Sequence, residues 1–364
     1  MKRTLLILLG LLAGLHSFAG DADTLPGTRM LSVRAQYGFL IAHRPTMRHL
    51  QQKHLKGMEL ELVFPTNGCH DWEQPLLLPS YSVAYQYLDP GNHEMIGAGH
   101  ALTARMLFPL NNTRHIKTFI SSGFGIGYIE KPYDKLENYK NVAIGSHINA
   151  VVSFSYRAYI KTGKYSRIDA GISFTHFSNG SFRSPNLGVN LPALQLGYNR
   201  YFGKELVCQH HDVDPVNRKS ITKIAICGGM KGLQSAYGLN FYGVTSLSAS
   251  RQFIISHKSR FDTGADLFYD RTLPWKLNSL YNEGLKENVA FRSGIHVGYE
   301  FIAGRIAMLI QTGVYIIDNY NEDGILYTKV GVDYSITKHL FACFHLKTHY
   351  AKADYFEYGL GYKF

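Results

Sequence analysis

The chain has 364 residues and a formal net charge of +11, and only 18% of its residues are charged, against roughly 25% in an ordinary soluble domain. Aromatic residues make up 13%, and there are 35 glycines. After the N-terminal segment, no stretch reaches the ~18 consecutive apolar residues that a membrane-spanning helix needs. A closed β-barrel is the remaining membrane architecture, because its backbone hydrogen bonds are all satisfied between strands.

The chain begins with a predicted secretory signal peptide, residues 1–19. In MKRTLLILLGLLAGLHSFAG, two basic residues precede an apolar run, and Ser17 and Ala19 are the small residues of a cleavage site. No cysteine lies near this site, which argues against a lipoprotein. Cleavage would remove Lys2 and Arg3 and lower the charge from +11 to +9. A basic exported protein suits an anionic partner such as the phosphates of lipopolysaccharide, and nucleic acid is not an expected partner.

Apolar and polar residues alternate along most of the remaining chain, which predicts an all-β, antiparallel outer-membrane β-barrel protein with about sixteen strands of ~10 residues. In residues 289–301, for example, Ile295 and Val297 share one face, while Arg292 and Glu300 share the other. This pattern is typical of a lipid-facing band around a polar lumen. The predicted strands are 31–43, 56–65, 79–89, 94–108, 116–130, 145–160, 164–178, 190–202, 221–230, 238–250, 259–270, 288–302, 304–317, 324–336, 339–350 and 354–364.

A polar linker at 203–220 divides the chain into two predicted domains, 20–202 and 221–364. FTHFSNG followed by LQLGYNRYF in the first half is similar to KTHYAKA followed by YGLGYKF in the second, which indicates a duplication. Inward-facing glycines and small polar residues in the first half favour a narrow, packed interior. We therefore predict two tandem eight-stranded barrels rather than one wide barrel.

The connections between strands alternate between short and long, and short turns belong on the periplasmic side of such barrels. Counting back from the tight turns at Ala303 and 337–338 places the loop 179–189 on the extracellular side. The last strand ends in Phe364, which resembles the insertion signal of bacterial outer-membrane proteins. The barrel assembly machinery is therefore an expected partner.

The seventh predicted strand ends in a His-x-Ser pair on its lipid-facing side, where His176 and Ser178 continue the parity of the apolar residues before them. A base two positions from a hydroxyl on one strand face could take its proton. Ser178 is then a candidate nucleophile for an ester carbonyl, and His176 is its base. Asn179 or the backbone amides at Gly180 could stabilise the oxyanion. The alternative, which the pattern alone favours, is that the pair is ordinary interfacial polarity.

The segment THFSNGSFRSPNLGVNLPALQLGYNRYF resembles the signature of the lipid A 3-O-deacylases, the PagL family, also called acyloxyacyl hydrolases. Members carry His-x-Ser-Asn followed by Pro-Asn and a Gly, and GFGIGYIEKPYDKLENYKNVAIGSHINA is similar to bacteroidete members. The resemblance covers mainly residues 30–202. It implies an outer-membrane barrel that hydrolyses the acyl ester at the 3-position of lipid A without a metal or other cofactor. It assigns Ser178 as nucleophile, His176 as base and Asn179 as an oxyanion contributor.

One position departs from the family pattern. The acidic member of the family's triad lies fourteen residues after the His, which here is Asn190. An Asn can orient a His through a hydrogen bond, but it cannot stabilise the imidazolium with a charge, so weakened or altered activity is one expected outcome. Glu130, Asp134 or Glu137 could replace the carboxylate, although solvated loop charges are the more ordinary interpretation of all three.

The second half offers no second active site. Ala351 stands where a Ser would follow His349, and the alternation points His345, Lys347 and His349 into the lumen, in a polar network with Glu357.

Other polar segments have weaker functional interpretations. The linker contains three possible metal ligands, but adjacent histidines in a polar segment rarely form a site, so we predict none. These ligands are His210, His211 and Asp212. The cations of the loop 44–56 could contact lipid A phosphates or remain solvated. The four cysteines lack a metal-binding spacing, and a disulfide between Cys69 and Cys208 can form in an oxidising compartment, although the sequence does not decide it.

Three functions remain compatible with these observations. The first is a lipid A deacylase of the outer membrane with its active site at the extracellular rim, and this is our prediction. The second is a non-catalytic barrel that binds lipopolysaccharide or acts as a scaffold. The third is a porin, which requires that all sixteen strands close into one wide barrel.

Overall fold

The computed structural model describes residues 24–111, 113, 116–235, 238–282, 284–350 and 352–364. The predicted signal peptide, residues 1–19, lies outside these residues. The described chain forms two closed barrels, each of eight antiparallel strands in sequential order. The prediction of two tandem barrels is confirmed, and the single wide barrel that a porin would require is wrong. None of the helices in these residues is long and apolar enough to cross a membrane.

Eighteen strands make up the described fold, of which two short ones pair outside the barrels. The strands of the first half are β1 Thr24–Leu25, β2 Arg29–Gly38, β3 Leu55–Pro65, β4 Ser80–Asp89, β5 Gly99–Pro109, β6 Ile116–Ile129, β7 Ile148–Lys161, β8 Ser166–Ser178, β9 Val189–Phe202 and β10 Leu206–Val207. Those of the second half are β11 Ile221–Ser235, β12 Gly238–Ser256, β13 Ser259–Asp270, β14 Phe291–Ala303, β15 Ile306–Asp318, β16 Leu326–Ser335, β17 Leu340–His349 and β18 Lys352–Lys363. Strands β2 to β9 close the first barrel, β11 to β18 close the second, and β1 pairs with β10.

Four short helices lie in the connections of the described chain. The α-helix α1 spans Thr272–Tyr281, and 3₁₀ helices span Pro45–Leu50, Asp71–Leu76 and Glu287–Ala290. The sequence analysis predicted none of them. Two predicted strands also extend too far, because residues 39–43 and 94–98 are loop. Leu40 and Ile96 in these loops are completely buried in a cap over the first barrel, whereas Phe39 remains 51% exposed.

The lumen of the first barrel is filled by an ion-pair network around Arg34, whose side chain is completely buried. Arg34 Nη1 lies 2.9 Å from Glu59 Oε1 and 2.5 Å from Glu61 Oε2, and its Nε lies 3.0 Å from Asp169. Arg157 Nη1 adds a 2.6 Å contact with Glu61. Buried charges are stable only when they are paired in this way, so the polar face predicted from the alternation forms a packed interior.

The lumen of the second barrel holds a separate network. Lys329 Nζ lies 3.3 Å from Asp266 and 3.2 Å from Glu357. His345 Nε2 lies 2.8 Å from Asp333, and its Nδ1 lies 3.4 Å from Glu357. The predicted inward direction of His345 and its contact with Glu357 are therefore confirmed.

An apolar cap covers one end of the first barrel, which we call the upper end; it bears the loops after β2, β4, β6 and β8. Met47 and Leu50 of the helix Pro45–Leu50 are completely buried there. They belong to one cluster with Phe177 and Val189, which lie at the upper ends of β8 and β9. The cap thereby packs against the inner side of the upper ends of β8 and β9. The outer side of these strand ends carries the predicted catalytic residues.

The two barrels pack side by side through apolar residues of β5 and β6. Phe108 contacts Phe301 with ring centroids 5.1 Å apart, and Phe124 contacts Phe344 at 5.2 Å. Ser122 Oγ lies 3.3 Å from the sulfur of Met308. Part of the outward face of the first barrel is therefore covered by the second barrel.

The structure contains no disulfide between Cys69 and Cys208, a pairing that the sequence left undecided. Cys227 and Cys343 lie inside the second barrel with their sulfur atoms 2.8 Å apart, on the strands that flank Gly359 of β18. With no side chain at Gly359, the two neighbouring strands can bring their cysteines together across it.

Candidate functional site

His176 and Asn190 meet at the upper end of the first barrel. They are direct partners across β8 and β9, and His176 Nδ1 lies 2.6 Å from Asn190 Oδ1. An amide oxygen only accepts hydrogen bonds, so His176 donates from Nδ1 and keeps Nε2 as its acceptor nitrogen. This is the tautomer that a general base requires.

A second histidine fixes the orientation of the Asn190 amide. Asn190 Nδ2 lies 3.1 Å from Nδ1 of His43, in the loop after β2. Because Nδ2 only donates, His43 accepts its proton, and Asn190 Oδ1 is turned toward His176. Gly188 packs against the His176 ring: a Cβ there would lie 2.6 Å from Cε1, and its φ of +84° favours glycine. The imidazole is therefore held on two sides.

Ser178 is the last residue of β8 and is 6% exposed. Asn186 Nδ2 donates to its Oγ at 3.2 Å, and the backbone N–H of Gly180 also donates at 3.2 Å. Among the residues that the structure describes, no hydrogen bond joins Ser178 to His176, although both lie on the same strand face. Nucleophile and base are often poorly aligned before substrate binds. Ser178 Oγ must turn from Asn186 toward His176 Nε2 for proton transfer.

The side chain of Asn179 braces the loop instead of facing Ser178. Its Nδ2 donates to Ser146 Oγ at 2.9 Å and to the carbonyl of Arg183 at 2.7 Å, which uses both amide protons. Both amide protons of Asn179 are therefore engaged by Ser146 and Arg183, and its predicted oxyanion role stays a prediction. Of the two predicted oxyanion residues, Gly180 is the one whose N–H faces Ser178.

The three predicted substitutes for the missing carboxylate bond elsewhere. Glu130 Oε2 accepts the backbone N–H of Ala98 at 2.7 Å. Asp134 is fully exposed, and the backbone N–H groups of Glu137 and Leu136 donate to it and lower its pKa. Glu137 itself is also exposed. None of these contacts involves His176, so Asn190 is the residue that orients it.

An apolar groove runs along the outside of the barrel directly below the pair. Phe174 and Pro192 line the groove. Phe174 lies two residues before His176 and Pro192 two residues after Asn190, each on the same strand face as its neighbour. Phe154 and Ile172 continue the groove toward the middle of the barrel and are 49% and 56% exposed. The groove lies on β2, β9, β8 and β7 and reaches Ile120 of β6, the strand whose Ser122 and Phe124 contact the second barrel. It can accommodate an alkyl chain beside the His-x-Ser pair.

The other predicted polar sites are occupied by protein contacts. His211 Nε2 lies 2.9 Å from Asp71, and its Nδ1 lies 3.2 Å from Gln74, so this histidine is engaged on both ring nitrogens. In the second barrel, Lys347 Nζ lies 3.0 Å from Asp354, and His349 is buried beside the same carboxylate. Both point into the lumen, as predicted.

One grouping of possible metal ligands occurs in the described part of the chain. Cys227, Cys343 and His345 place their ligand atoms within 4.8 Å of one another. The imidazole of His345, however, already faces Asp333 and Glu357. The cluster is therefore a part of the buried network of the second barrel.

The sequence analysis missed Asn186 and His43. Asn186 belongs to the Pro-Asn element of the motif, so that element could have indicated a residue beside Ser178. His43 lies 147 positions from Asn190 in the chain, in a loop whose path no periodicity predicts. Its contribution is visible only in the folded protein.

Two family models match the chain, and together they include most of both barrels. Residues 57–199 match lipid A 3-O-deacylase (PagL), and residues 221–364 match the acyloxyacyl hydrolase C-terminal domain (PagL_C). The first barrel is a PagL-family domain. The second barrel is a PagL_C domain, which accounts for the half that the resemblance did not cover. The family and the barrel fold together support the predicted location in the outer membrane.

Solved structures similar to this chain have low TM-scores. Neisserial surface protein A is 9% identical, with 48% of this chain and 98% of that chain aligned and a TM-score of 0.35. The outer membrane enzyme PagL is 17% identical over 47% of this chain and 99% of that chain, with a TM-score of 0.30. A Rhodopseudomonas blastica porin variant is 7% identical over 92% and 99%, at 0.18. A comparison with curated proteins finds no match.

Proposed function

We propose that this chain is an outer-membrane esterase that removes the 3-O-acyl chain of lipid A, with Ser178 as nucleophile and His176 as general base. The observation that carries the proposal is the 2.6 Å contact between His176 Nδ1 and Asn190, on the lipid-facing side directly above an apolar groove. The match to the PagL family supports lipid A as the substrate class.

The reaction is acyl transfer to Ser178 followed by hydrolysis. His176 Nε2 takes the Ser178 proton while Oγ attacks the ester carbonyl, and the tetrahedral intermediate collapses with release of the lipid A alcohol, which receives the proton from His176. Water, deprotonated by His176, then attacks the acyl-serine. The products are a free fatty acid and a lipid A molecule with one hydroxyl in place of the ester.

The oxyanion is stabilised by donors that already face Ser178. The backbone N–H of Gly180 lies 3.2 Å from Oγ, and Asn186 Nδ2 is at the same distance. The carbonyl oxygen of the ester, which is bonded to the carbon that Oγ attacks, can accept from both donors in the tetrahedral intermediate. Fixed donors of this kind contribute most where water is excluded, and Ser178 is nearly buried.

The substrate binds with its acyl chain in the apolar groove and its headgroup at the upper end. Phe174 and Pro192 contact the chain near the ester. Exposed cations on the surrounding loops, including Arg44, Arg48 and Arg183, attract the lipid A phosphates. This arrangement requires the upper end to face the extracellular leaflet, with the active site at the extracellular rim.

Delivery to that membrane is proposed to use the two ends of the chain. Residues 1–19 serve as the signal peptide, and the C-terminal strand β18, which precedes Phe364, is the part recognised by the barrel assembly machinery. The linker 203–220 joins the two barrels at their lower ends.

The proposal is tested with purified full-length protein in mixed micelles of detergent and lipid A. We expect release of one hydroxy fatty acid from lipid A that carries a 3-O-acyl chain, and none from lipid A from which this chain has been removed. Ser178→Ala should abolish release, with heat-modifiable migration on gels confirming the folded barrel. Release from both lipids would exclude the 3-position, and release by Ser178→Ala would exclude the mechanism.

A non-catalytic lipopolysaccharide-binding barrel is the second candidate. Two observations favour it: Asn190 replaces the acidic residue, and Ser178 is bonded to Asn186 rather than to His176. Binding of lipid A without release of fatty acid in the same micelles would establish this function.

A further inference from the structure

The second barrel contacts the loop that follows the proposed nucleophile. We call residues 179–182 the nucleophile turn. Gly180 and Ser181 both have left-handed backbones, with φ of +61° and +64°. Such a conformation is unfavourable for a serine and persists only where its surroundings hold it.

Phe356 of β18 packs directly on Gly180. A Cβ at Gly180 would lie 2.2 Å from two carbons of the Phe356 ring, so the ring occupies the space that a side chain would need. The same glycine supplies the N–H that faces Ser178 Oγ at 3.2 Å. One residue of the second barrel thus contacts the backbone of the proposed oxyanion donor.

The rest of the turn is also bonded to the second barrel. Ser181 Oγ donates to the carbonyl of Ala353 at 2.7 Å. The Phe182 ring packs on Phe241 with centroids 4.6 Å apart. These contacts join three consecutive residues after Asn179 to strands β12 and β18.

Phe356 is itself fixed by an aromatic row that returns to the first barrel. It stacks on Phe344 with centroids 5.2 Å apart, and Phe344 contacts Phe124 of β6, also at 5.2 Å. The turn and the body of the first barrel are therefore both connected to the same aromatic residues of the second barrel. A rigid contact of this kind can fix the turn relative to β8.

We propose that the second barrel positions the nucleophile turn, with Phe356 as the main positioning residue. It supplies no group that reacts. It holds the Gly180 N–H at Ser178 and closes one flank of the site, so that lipid A enters from the side of β8, β9 and β2. The catalytic part of this inference rests on the proposed esterase function, while the structural part does not.

The first test compares Phe356→Ala with Phe291→Ala in the full-length protein. Phe291 is a matched control, because it is an aromatic residue of the same barrel that packs on Tyr269. With the lipid A micelle assay, Phe356→Ala should lower kcat by about 10- to 100-fold with KM little changed, since small displacements of catalytic groups have effects of this size. Phe291→Ala should stay within about twofold of wild type. Equal kcat for wild type and Phe356→Ala would overturn the catalytic part.

Hydrogen exchange tests the positioning independently of activity. In the folded protein the Phe182 N–H donates to the Asn179 carbonyl at 3.1 Å. Phe356→Ala should accelerate exchange in peptides covering 179–183 by about tenfold or more, because the turn loses its external contact. Phe291→Ala should leave these peptides unchanged. If the wild-type protein is inactive but Phe356→Ala still accelerates exchange, the proposed esterase function fails and the positioning of the turn by the second barrel stands. Unchanged exchange in Phe356→Ala would overturn the positioning.

A double-mutant cycle identifies the contact itself. Gly180→Ala should lower kcat because its Cβ collides with the Phe356 ring. Adding Phe356→Ala should remove the collision, so the double variant should lose less activity than the product of the two single losses predicts. Simple multiplication of the two effects would show that Gly180 and Phe356 act separately and would overturn Phe356 as the positioning residue.

Discussion

The two barrels share their architecture and differ in where a histidine points at the end of a strand. His176 near the end of β8 faces outward, with Asn190 opposite it and Phe177 buried in the cap. His349 at the end of β17 is buried in the lumen, where its Nε2 lies 2.8 Å from the Tyr315 hydroxyl. Strand parity alone therefore decides whether a histidine can meet a membrane lipid or serve an internal network.

The upper ends of the two barrels also differ in what fills them. In the first barrel, the loops fold into an apolar cap that supports β8 and β9 from inside. In the second, Lys231 pairs with Asp270 and Asp354 in the lumen, and the outer surface packs on the nucleophile turn. One barrel carries the proposed chemistry, and the other supports it.

The largest expected effect separates the two histidines. His176→Ala should lower kcat for fatty acid release by about 10³- to 10⁴-fold, because the nucleophile loses its base. His349→Ala should leave kcat within about twofold of wild type. Both variants are measured under the same micelle conditions. An equal loss of activity in the two would contradict the proposed difference between His176 and His349.

The buried ion pairs predict large losses of stability in either barrel. Arg34→Leu removes the cationic partner of Asp169 and one of the partners of Glu59 and Glu61, which keep Arg105 and Arg157. It should lower the free energy of unfolding by about 3–5 kcal/mol. Urea unfolding in detergent can follow each barrel separately, because the chain has two tryptophans, Trp72 and Trp275, one in each half. Arg34→Leu should shift the transition observed in the Trp275→Phe background.

The matched variants for that measurement are Lys329→Leu and Lys164→Ala. Lys329→Leu should shift the transition seen in the Trp72→Phe background, because it removes the buried lysine that Asp266 and Glu357 share in the second barrel. Lys164 forms an exposed pair with Glu205, so its loss should leave the unfolding transition almost unchanged. Equal shifts for buried and exposed variants would contradict the role of the lumen networks.

Asn190→Asp should increase activity. A carboxylate at this position would accept the same hydrogen bond from His176 Nδ1 and stabilise the imidazolium with its charge, which should raise kcat by about 10- to 100-fold. Asn190→Leu removes the acceptor and should lower kcat. No gain from Asp together with no loss from Leu would show that Asn190 does not orient the base.

His43 should have the smallest effect. His43→Ala removes the acceptor that turns the Asn190 amide and should lower kcat by about three- to tenfold. His43→Gln retains an acceptor oxygen and should restore part of the loss, which a purely structural role would not predict. His49→Ala is the control, since His49 of the same loop donates to the Lys140 carbonyl at 2.7 Å and does not line the groove.

Local periodicity was sufficient to predict most of the fold. Strand β13 was predicted with its observed bounds, Ser259–Asp270, because one face meets lipid and the other meets charges. The same rule failed at residues 39–43, where apolar residues turn inward to build the cap. The helix Thr272–Tyr281 was also missed, since its residues lie in a long connection without a periodic signal.

The candidate site could be predicted only where its residues are close in the chain. The parity of β8 places His176 and Ser178 on one face, and the motif includes Asn186. The contacts of His43 and Phe356 depend on how a distant loop and a second barrel fold against β8. The loss of a separate oxyanion role for the Asn179 side chain likewise follows from its contacts with Ser146 and Arg183, which sequence spacing does not reveal.

The most direct test of the central claim is mass spectrometry of lipid A from Gram-negative cells that express the wild-type protein or Ser178→Ala. We expect a loss of mass corresponding to one hydroxyacyl chain with the wild type and intact lipid A with the variant, at equal amounts of folded barrel in the outer membrane. Intact lipid A in both strains, or the same loss in both, would contradict a serine esterase at the barrel rim.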